Sequence, residues 1–313
     1  MSSQKDQRLA AFDVGSNTVL MLVVERRADG SLVPIVDLSR ITRLGRGVDS
    51  TGHLDPESAR DTLNAIVEFS RRARELGATR IIGAATAAVR DAADGEAFLA
   101  RVRSDAGVAL DVISGQTEAE LSHLAVIRGL RINPAARLLI IDIGGGSTEF
   151  IRAEPGRPLE TVSLQIGSVR MTERHIRHDP PAPAEVMALR TTIDSAIDSL
   201  GWNYRPNVLV GIAGTVTTVC AVALKLSTYA PDLVHGYRLS RDEVGRTLEL
   251  FGKLAHSERS RLPGLVSGRV DVIFAGTTIL ERVMARFDAE AVTVSDQGVR
   301  WGLVWREFDR HFA

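Results

Sequence analysis

The chain has 313 residues, 44% of them hydrophobic and 25% charged, which suits two soluble domains of ordinary size. A formal net charge of −1 excludes a global basic field for nucleic acid, and a lone cysteine, Cys220, excludes an intramolecular disulfide. The polar start, residues 1–8, is unlike a secretory signal and no apolar run reaches membrane-spanning length, so a cytosolic protein with no membrane partner is expected.

The first stretch, Leu9-Ala-Ala-Phe-Asp-Val-Gly-Ser-Asn-Thr-Val-Leu20, is an apolar strand that delivers Asp13 into a turn of Gly15, Ser16, Asn17 and Thr18. Residues 19–24 are β-like, Ala28-Asp-Gly30 is a turn, and 32–44 reads as further strand, so a β-meander opens the chain. Asp55-Pro-Glu57 starts a helix, with Asp as N-cap and Pro at its first position. Ala59, Leu63, Ile66, Val67, Ala73 and Leu76 keep helical spacing until Gly77. Residues 80–85 form a short buried strand, 94–105 a helix and 108–113 another strand, an α/β pattern.

In Ile113-Ser-Gly-Gln-Thr-Glu-Ala-Glu-Leu121, Thr117 and Glu120 have capping-box spacing, which puts Glu118 at the first helical position. The positive end of the helix favours its ionised form, and an ionised carboxylate there could take a proton from water. Acidic residues are also favoured in first turns for stability alone, so both readings stand at this point. The helix, 117–130, leads through Asn133-Pro134 to a second strand-and-turn: Leu138-Leu-Ile-Ile-Asp-Ile-Gly-Gly-Gly-Ser-Thr-Glu-Phe150.

This copy repeats the order of the first: apolar run, Asp142, then Gly144, Gly145, Gly146, Ser147, Thr148 and Glu149. Glycines let backbone N–H groups approach an anion, and hydroxyls add donors for phosphate oxygens. Carboxylates beside a phosphate would repel it without a hard cation, so Mg²⁺ is implied. A buried strand ending in a glycine-rich turn is the alternative. No G-x-x-x-x-G-K-[ST] occurs and the residues after Gly146 alternate, so the turn reads as a β-hairpin tip. Two related units suggest two similar domains facing each other, 1–125 and 126–313, with the last helix able to pack back on the first domain.

Residues 160–165 are β-like and Ile166-Gly-Ser-Val-Arg170 follows, then a proline-rich loop, 179–183, and a helix, 184–200. A strand from Asn207 enters the turn Gly214-Thr215, where helix amides could meet a phosphate or simply pack tightly. Val234-His-Gly-Tyr237 is a loop, and Ser240 with Glu243 is a capping box. Arg259, Arg261 and Arg269 read as partly solvated around Leu262-Pro-Gly264. A helix over 271–287 and a strand over 292–294 lead to Ser295-Asp-Gln-Gly-Val-Arg300 and the last helix.

Together these stretches resemble the exopolyphosphatase / guanosine pentaphosphate phosphohydrolase family, within the acetate and sugar kinase, Hsp70 and actin superfamily. The resemblance spans nearly the whole chain and rests on six or seven motifs in register. It implies two ribonuclease-H-like (actin-like ATPase) domains with an interdomain cleft. It also implies hydrolysis of terminal phosphate from inorganic polyphosphate, or of the 5′ γ-phosphate of guanosine pentaphosphate, by a homodimer using Mg²⁺. The family's general base maps to Glu118, with Thr117 standing where the family has another glutamate. Its metal-associated carboxylates map to Asp142 and Glu149, with Asp13 a weaker candidate, and its phosphate-contacting arginine maps to Arg90. The chain ends where longer members add a helical region for gripping long polymers, so short chains are the expected substrate. The rivals are a small-molecule kinase of the superfamily and a non-enzymatic sensor of phosphate or guanosine tetraphosphate.

Overall fold

The computed structural model describes residues 7–312; the polar start up to residue 6 lies outside the described residues. The chain forms two compact units, the first made of residues 1–125 and 299–313, the second of 126–298. The last helix therefore belongs to the first unit.

The first unit holds β1 (Gln7–Val14), β2 (Thr18–Arg26), β3 (Leu32–Ile41), β4 (Arg80–Ala85) and β5 (Asp111–Val112) in the order β3-β2-β1-β4-β5. β1, β2 and β3 are antiparallel neighbours, while β4 runs parallel to β1 and β5 parallel to β4. Its helices are α1 (Val48–Thr51), α2 (Pro56–Glu75), α3 (Ala87–Asp91), α4 (Gly95–Ala106), most of α5 (Gly115–Gly129) and the final helix, Val299–Phe312.

Why β1 reads as a continuous apolar run is clear from its two faces. Ala10, Phe12 and Val14 pack with Ile66 and Phe69 of α2 and Val102 of α4. Leu9 and Ala11 pack with Leu121 and Ala125 of α5 and with Trp301 and Val304 of the final helix. α2 starts as its sequence requires: Asp55 accepts from the Ser58 N–H at 2.9 Å, with Pro56 at the first position.

The second unit repeats this plan. Its strands are β6 (Leu138–Ile143), β7 (Thr148–Ala153), β8 (Glu160–Leu164), β9 (Val208–Ile212), β10 (Arg238–Ser240) and β11 (Ala291–Val294), in the order β10-β11-β9-β6-β7-β8. β6, β7 and β8 form the antiparallel meander, with β9 and then β11 added parallel. β10 is the one addition to the first unit's order, antiparallel at the edge. The helices are α6 (Ser168–His175), α7 (Pro183–Asp198), α8 (Ala213–Ala223), α9 (Pro231–Val234), α10 (Arg241–Lys253), α11 (His256–Arg259) and α12 (Ile273–Arg286); the final helix is thus α13.

Three expectations change. The strand expected over 108–113 pairs only at Asp111 and Val112, because Val108 and Leu110 turn into the core instead of extending the ladder. α5 begins at Gly115, two residues before Thr117, so Thr117 is not its cap. Arg259 is 5% exposed rather than partly solvated, its guanidinium donating to the Phe251 and Leu254 carbonyls and to Asp179. Among the described residues no helix is long and apolar enough to cross a membrane.

Candidate active site

In each unit the chemistry-bearing residues gather where the parallel strands end, the usual place for ligands on open α/β sheets. In the first unit the hairpin tip between β1 and β2 is closed by Gly15 N–H donating to Thr18 O at 3.1 Å. The Thr86 N–H donates to Val14 O and the Ile113 N–H to Ala85 O, each at 3.1 Å. These bonds align three turns at one sheet end: the tip with Gly15, Ser16, Asn17 and Thr18, the turn into α3, and the turn into α5.

Arg90, in α3, reaches across to the third of these turns, where its Nη1 donates to Ile113 O at 3.1 Å while Nε pairs with Asp91 at 3.1 Å. Ser114 caps α5: its Oγ accepts from the Thr117 N–H at 3.1 Å and lies 3.0 Å from the Thr117 hydroxyl. The cap thus comes from Ser114, not from the Thr117–Glu120 box, and Gln116 is what bonds Glu120. Glu118 remains in the first turn, half-buried, so the electrostatic argument for its ionised form survives the shift.

Asp13 lies one residue before the end of β1, opposite Leu20 and not opposite a second acid. Its side chain keeps some exposure, yet dense packing pushes the carboxyl up from 3.8 to about 6, with Arg300 acting in the opposite sense. Arg300 is itself buried and makes a two-pronged bond to Asp37.

In the second unit Gly144 N–H donates to Ser147 O at 3.0 Å, the same closure as in the first tip. The register places Asp142 directly across from Glu149. Residues so paired lie on one face with Cβ atoms ~5 Å apart, so both side chains leave the same face of the sheet beside the glycine tip. Glu149 Oε1 is anchored by the Ser147 and Ser163 hydroxyls at 2.6 and 2.8 Å.

The turn from β9 into α8 is the tightest feature here. Ala213 takes a left-handed φ of 62°, an uncommon conformation for a residue with a side chain. A Cβ on Gly214 would fall 1.8 Å from the Arg269 guanidinium. Thr215 is buried and its hydroxyl donates to Ile143 O at 2.9 Å, fixing the end of β6. Arg269, which the sequence places only in a partly solvated group of arginines, is thereby brought against this turn. Burial lowers its pKa, while Tyr229 and Asp142 pull the other way, so its charge sits near the Asp142 carboxylate.

Among the described residues no three His, Cys, Asp or Glu side chains converge as a metal cage. Two carboxylates paired across the hairpin beside a glycine tip do fit Mg²⁺, which is commonly held by one or two carboxylates together with substrate phosphates and water.

Comparison with known proteins agrees with this architecture. The Ppx/GppA phosphatase family matches residues 23–311. "Exopolyphosphatase 1" of Mycobacterium bovis is 32% identical over 96% of this chain and 88% of its own length. "Exopolyphosphatase 2" of Mycobacterium tuberculosis is 30% identical over 95% of this chain and 97% of its own. The crystal structure of the Aquifex aeolicus family member superposes with a TM-score of 0.85 at 30% identity, covering 98% of this chain and 99% of that one. With both meanders, both tips and the match over nearly its whole length in place, the chain belongs to the Ppx/GppA phosphatase family and has the actin-like ATPase fold.

Proposed function

We propose that the protein is a phosphoanhydride hydrolase that releases the terminal phosphate of inorganic polyphosphate. Guanosine pentaphosphate presents the same anhydride end and is the second candidate substrate. The observation that carries the reading is the in-register pair Asp142 and Glu149 at the rim of a glycine tip, in a chain similar over nearly its full length to exopolyphosphatases.

In this mechanism water attacks the terminal phosphorus in line and the bridging oxygen leaves with the shortened chain. Glu118 orients the water and accepts its proton. Gly15, Ser16, Asn17 and Thr18 supply donors to phosphate oxygens, as do Gly144, Gly145, Gly146 and Ser147. Arg90 adds the positive charge and remaining N–H groups of its guanidinium, and Gly214 and Thr215 shape the second unit's βα turn. Asp142 and Glu149 would hold Mg²⁺, with Asp13 a further candidate, and the cation supplies charge neutralisation at the phosphoryl oxygens. Positioning and electrostatics carry most of such a reaction.

The test is phosphate release measured side by side on short polyphosphate, long polyphosphate, guanosine pentaphosphate and ATP, with and without a chelator. Release from short polyphosphate that vanishes with chelator and returns with Mg²⁺ is the expected result. ATP turnover requiring an added sugar or acid would replace the reading with a kinase, and tight binding without release would replace it with a sensor. The homodimer that the family resemblance implies is checked on the same preparation by light scattering.

A further inference from the structure

Ile166-Gly-Ser-Val-Arg170 has no part in the reading above, yet it abuts the second tip. A helix leaves its first N–H groups without intrahelical acceptors, and a capping side chain commonly takes one of them. The start of α6 has no side-chain cap. Its donors go instead to the glycine tip. Ser168 N–H reaches Gly144 O at 2.9 Å, and the Ser168 hydroxyl reaches the same oxygen at 3.1 Å. Val169 and Arg170 N–H groups reach Gly145 O at 2.9 and 3.1 Å. Arg170 Nε reaches Gly146 O at 2.8 Å while its Nη2 holds Gln165 Oε1 at 3.1 Å.

All three glycine carbonyls are therefore occupied by one helix start. Among the described residues, the N–H groups of Gly145, Gly146 and Ser147 have no backbone acceptor. Contact is tight enough that a Cβ on Gly167 would lie 2.2 Å from Gly145 O and 2.4 Å from Gly146 C.

The first unit repeats the device with unrelated residues. There the segment after β3 donates from Gly45 to Ser16 O at 2.7 Å, and from Thr42 and Arg43 to Asn17 O at 3.0 and 3.1 Å. Arg43 adopts a left-handed φ of 54° in that segment. A Cβ on Gly45 would fall 2.8 Å from Ser16 Cβ.

We propose that Gly167 and Arg170 are positioning residues: Gly167 permits the close approach of the α6 start, and Arg170 ties down the carbonyls of Gly145 and Gly146, so that the tip is held with its amides turned outward, as an anion receptor. The proposal rests on the reading of the tip as a phosphate holder. In a trans peptide the C=O and the next residue's N–H point in opposite directions within one plane, so fixing each C=O toward α6 aims the linked N–H away from it. Arg170 acts through the fork geometry of its guanidinium rather than its charge alone.

The test is calorimetric binding of tripolyphosphate in the presence of Mg²⁺, in a Glu118→Gln background that stops turnover, for Gly167→Ala, Arg170→Gln and Arg170→Lys. Circular dichroism and thermal midpoints are recorded for each. Gly167→Ala and Arg170→Gln are expected to weaken binding tenfold or more with native helical signal. Arg170→Lys is expected to stay at least fivefold weak, because an ammonium cannot hold Gly146 O and Gln165 in one plane. In the turnover-competent background the same variants should raise KM more than they lower kcat. Unchanged binding in Arg170→Gln, full rescue by lysine, or no tripolyphosphate binding by the parent would overturn the proposal. Intact binding by a wild type that releases no phosphate would sink the hydrolase reading and leave this one standing.

Discussion

Glu118 carries the sharpest residue-scale prediction. Removing a general base typically costs about 10²–10⁴-fold in rate, so Glu118→Gln should keep the thermal midpoint and lose that much of kcat on short polyphosphate. A variant hydrolysing at the wild-type rate would mean another group activates the water. Asp13 gives a second prediction, this time for stability. Its folded carboxyl titrates at about 6 against an ordinary 3.8, so the folded state holds the proton more tightly than the unfolded chain. The stabilisation by that proton is present below pH 4 and is lost as pH rises through about 6. At ~1.4 kcal/mol per tenfold the penalty at neutral pH is at most about 3 kcal/mol. In chelator, Asp13→Asn should therefore melt higher than wild type at pH 7.5 and equal to it near pH 4. A constant difference across that range would show that burial does not penalise the Asp13 charge.

At the scale of elements, the close approach of two helices offers a direct test. A Cβ on Gly302 in α13 would fall 2.1 Å from the Leu121 carbonyl oxygen of α5, a backbone atom with little room to retreat. Gly302→Ala should destabilise the protein by about 1–3 kcal/mol or more through overpacking, read as a lowered denaturation midpoint. A midpoint equal to wild type would mean the helices shift without cost.

Elements also show what the sequence makes legible. The capping residues Asp55-Pro56 and Ser240 with Glu243 fix α2 and α10 because their signals are local. The pairing of Asp142 with Glu149 is legible for the same reason, since a four-residue tip sets the register of β6 and β7. β5 is misjudged because Val108 and Leu110 are apolar for the core and not for a ladder. The start of α5 is misjudged because Ser114 and Thr117 both have cap chemistry and only the backbone path selects between them. Arg269 over Gly214, and Arg170 at Gly146, depend on contacts between segments distant in sequence, which no local pattern encodes.

Across the whole molecule the two units differ in one respect that their matching sheets conceal. The second is a continuous segment, 126–298, whereas the first is interrupted and completed by 299–313. α13 brings Val299, Trp301, Leu303, Val304 and Phe308 to the core that Leu9, Ala11, Leu22 and Val24 line from the sheet. Its Arg300 also makes the buried bond to Asp37. A fragment of residues 126–298 is therefore expected to fold on its own, and one of residues 1–125 is not, as read by circular dichroism and resistance to limited proteolysis. Cooperative unfolding by the 1–125 fragment would show that α13 adds stability without being required.

That interruption has a consequence for biosynthesis. Multidomain chains commonly mature from the N-terminus as they leave the ribosome. Here the order inverts: the segment translated first must wait, one hydrophobic side of its sheet only partly covered, until residues 299–312 have been made. A nascent chain that has not reached residue 299 is thus expected to be a client for holding factors, and a product that stops just short of that residue keeps its later-made unit whole while the earlier one is incomplete.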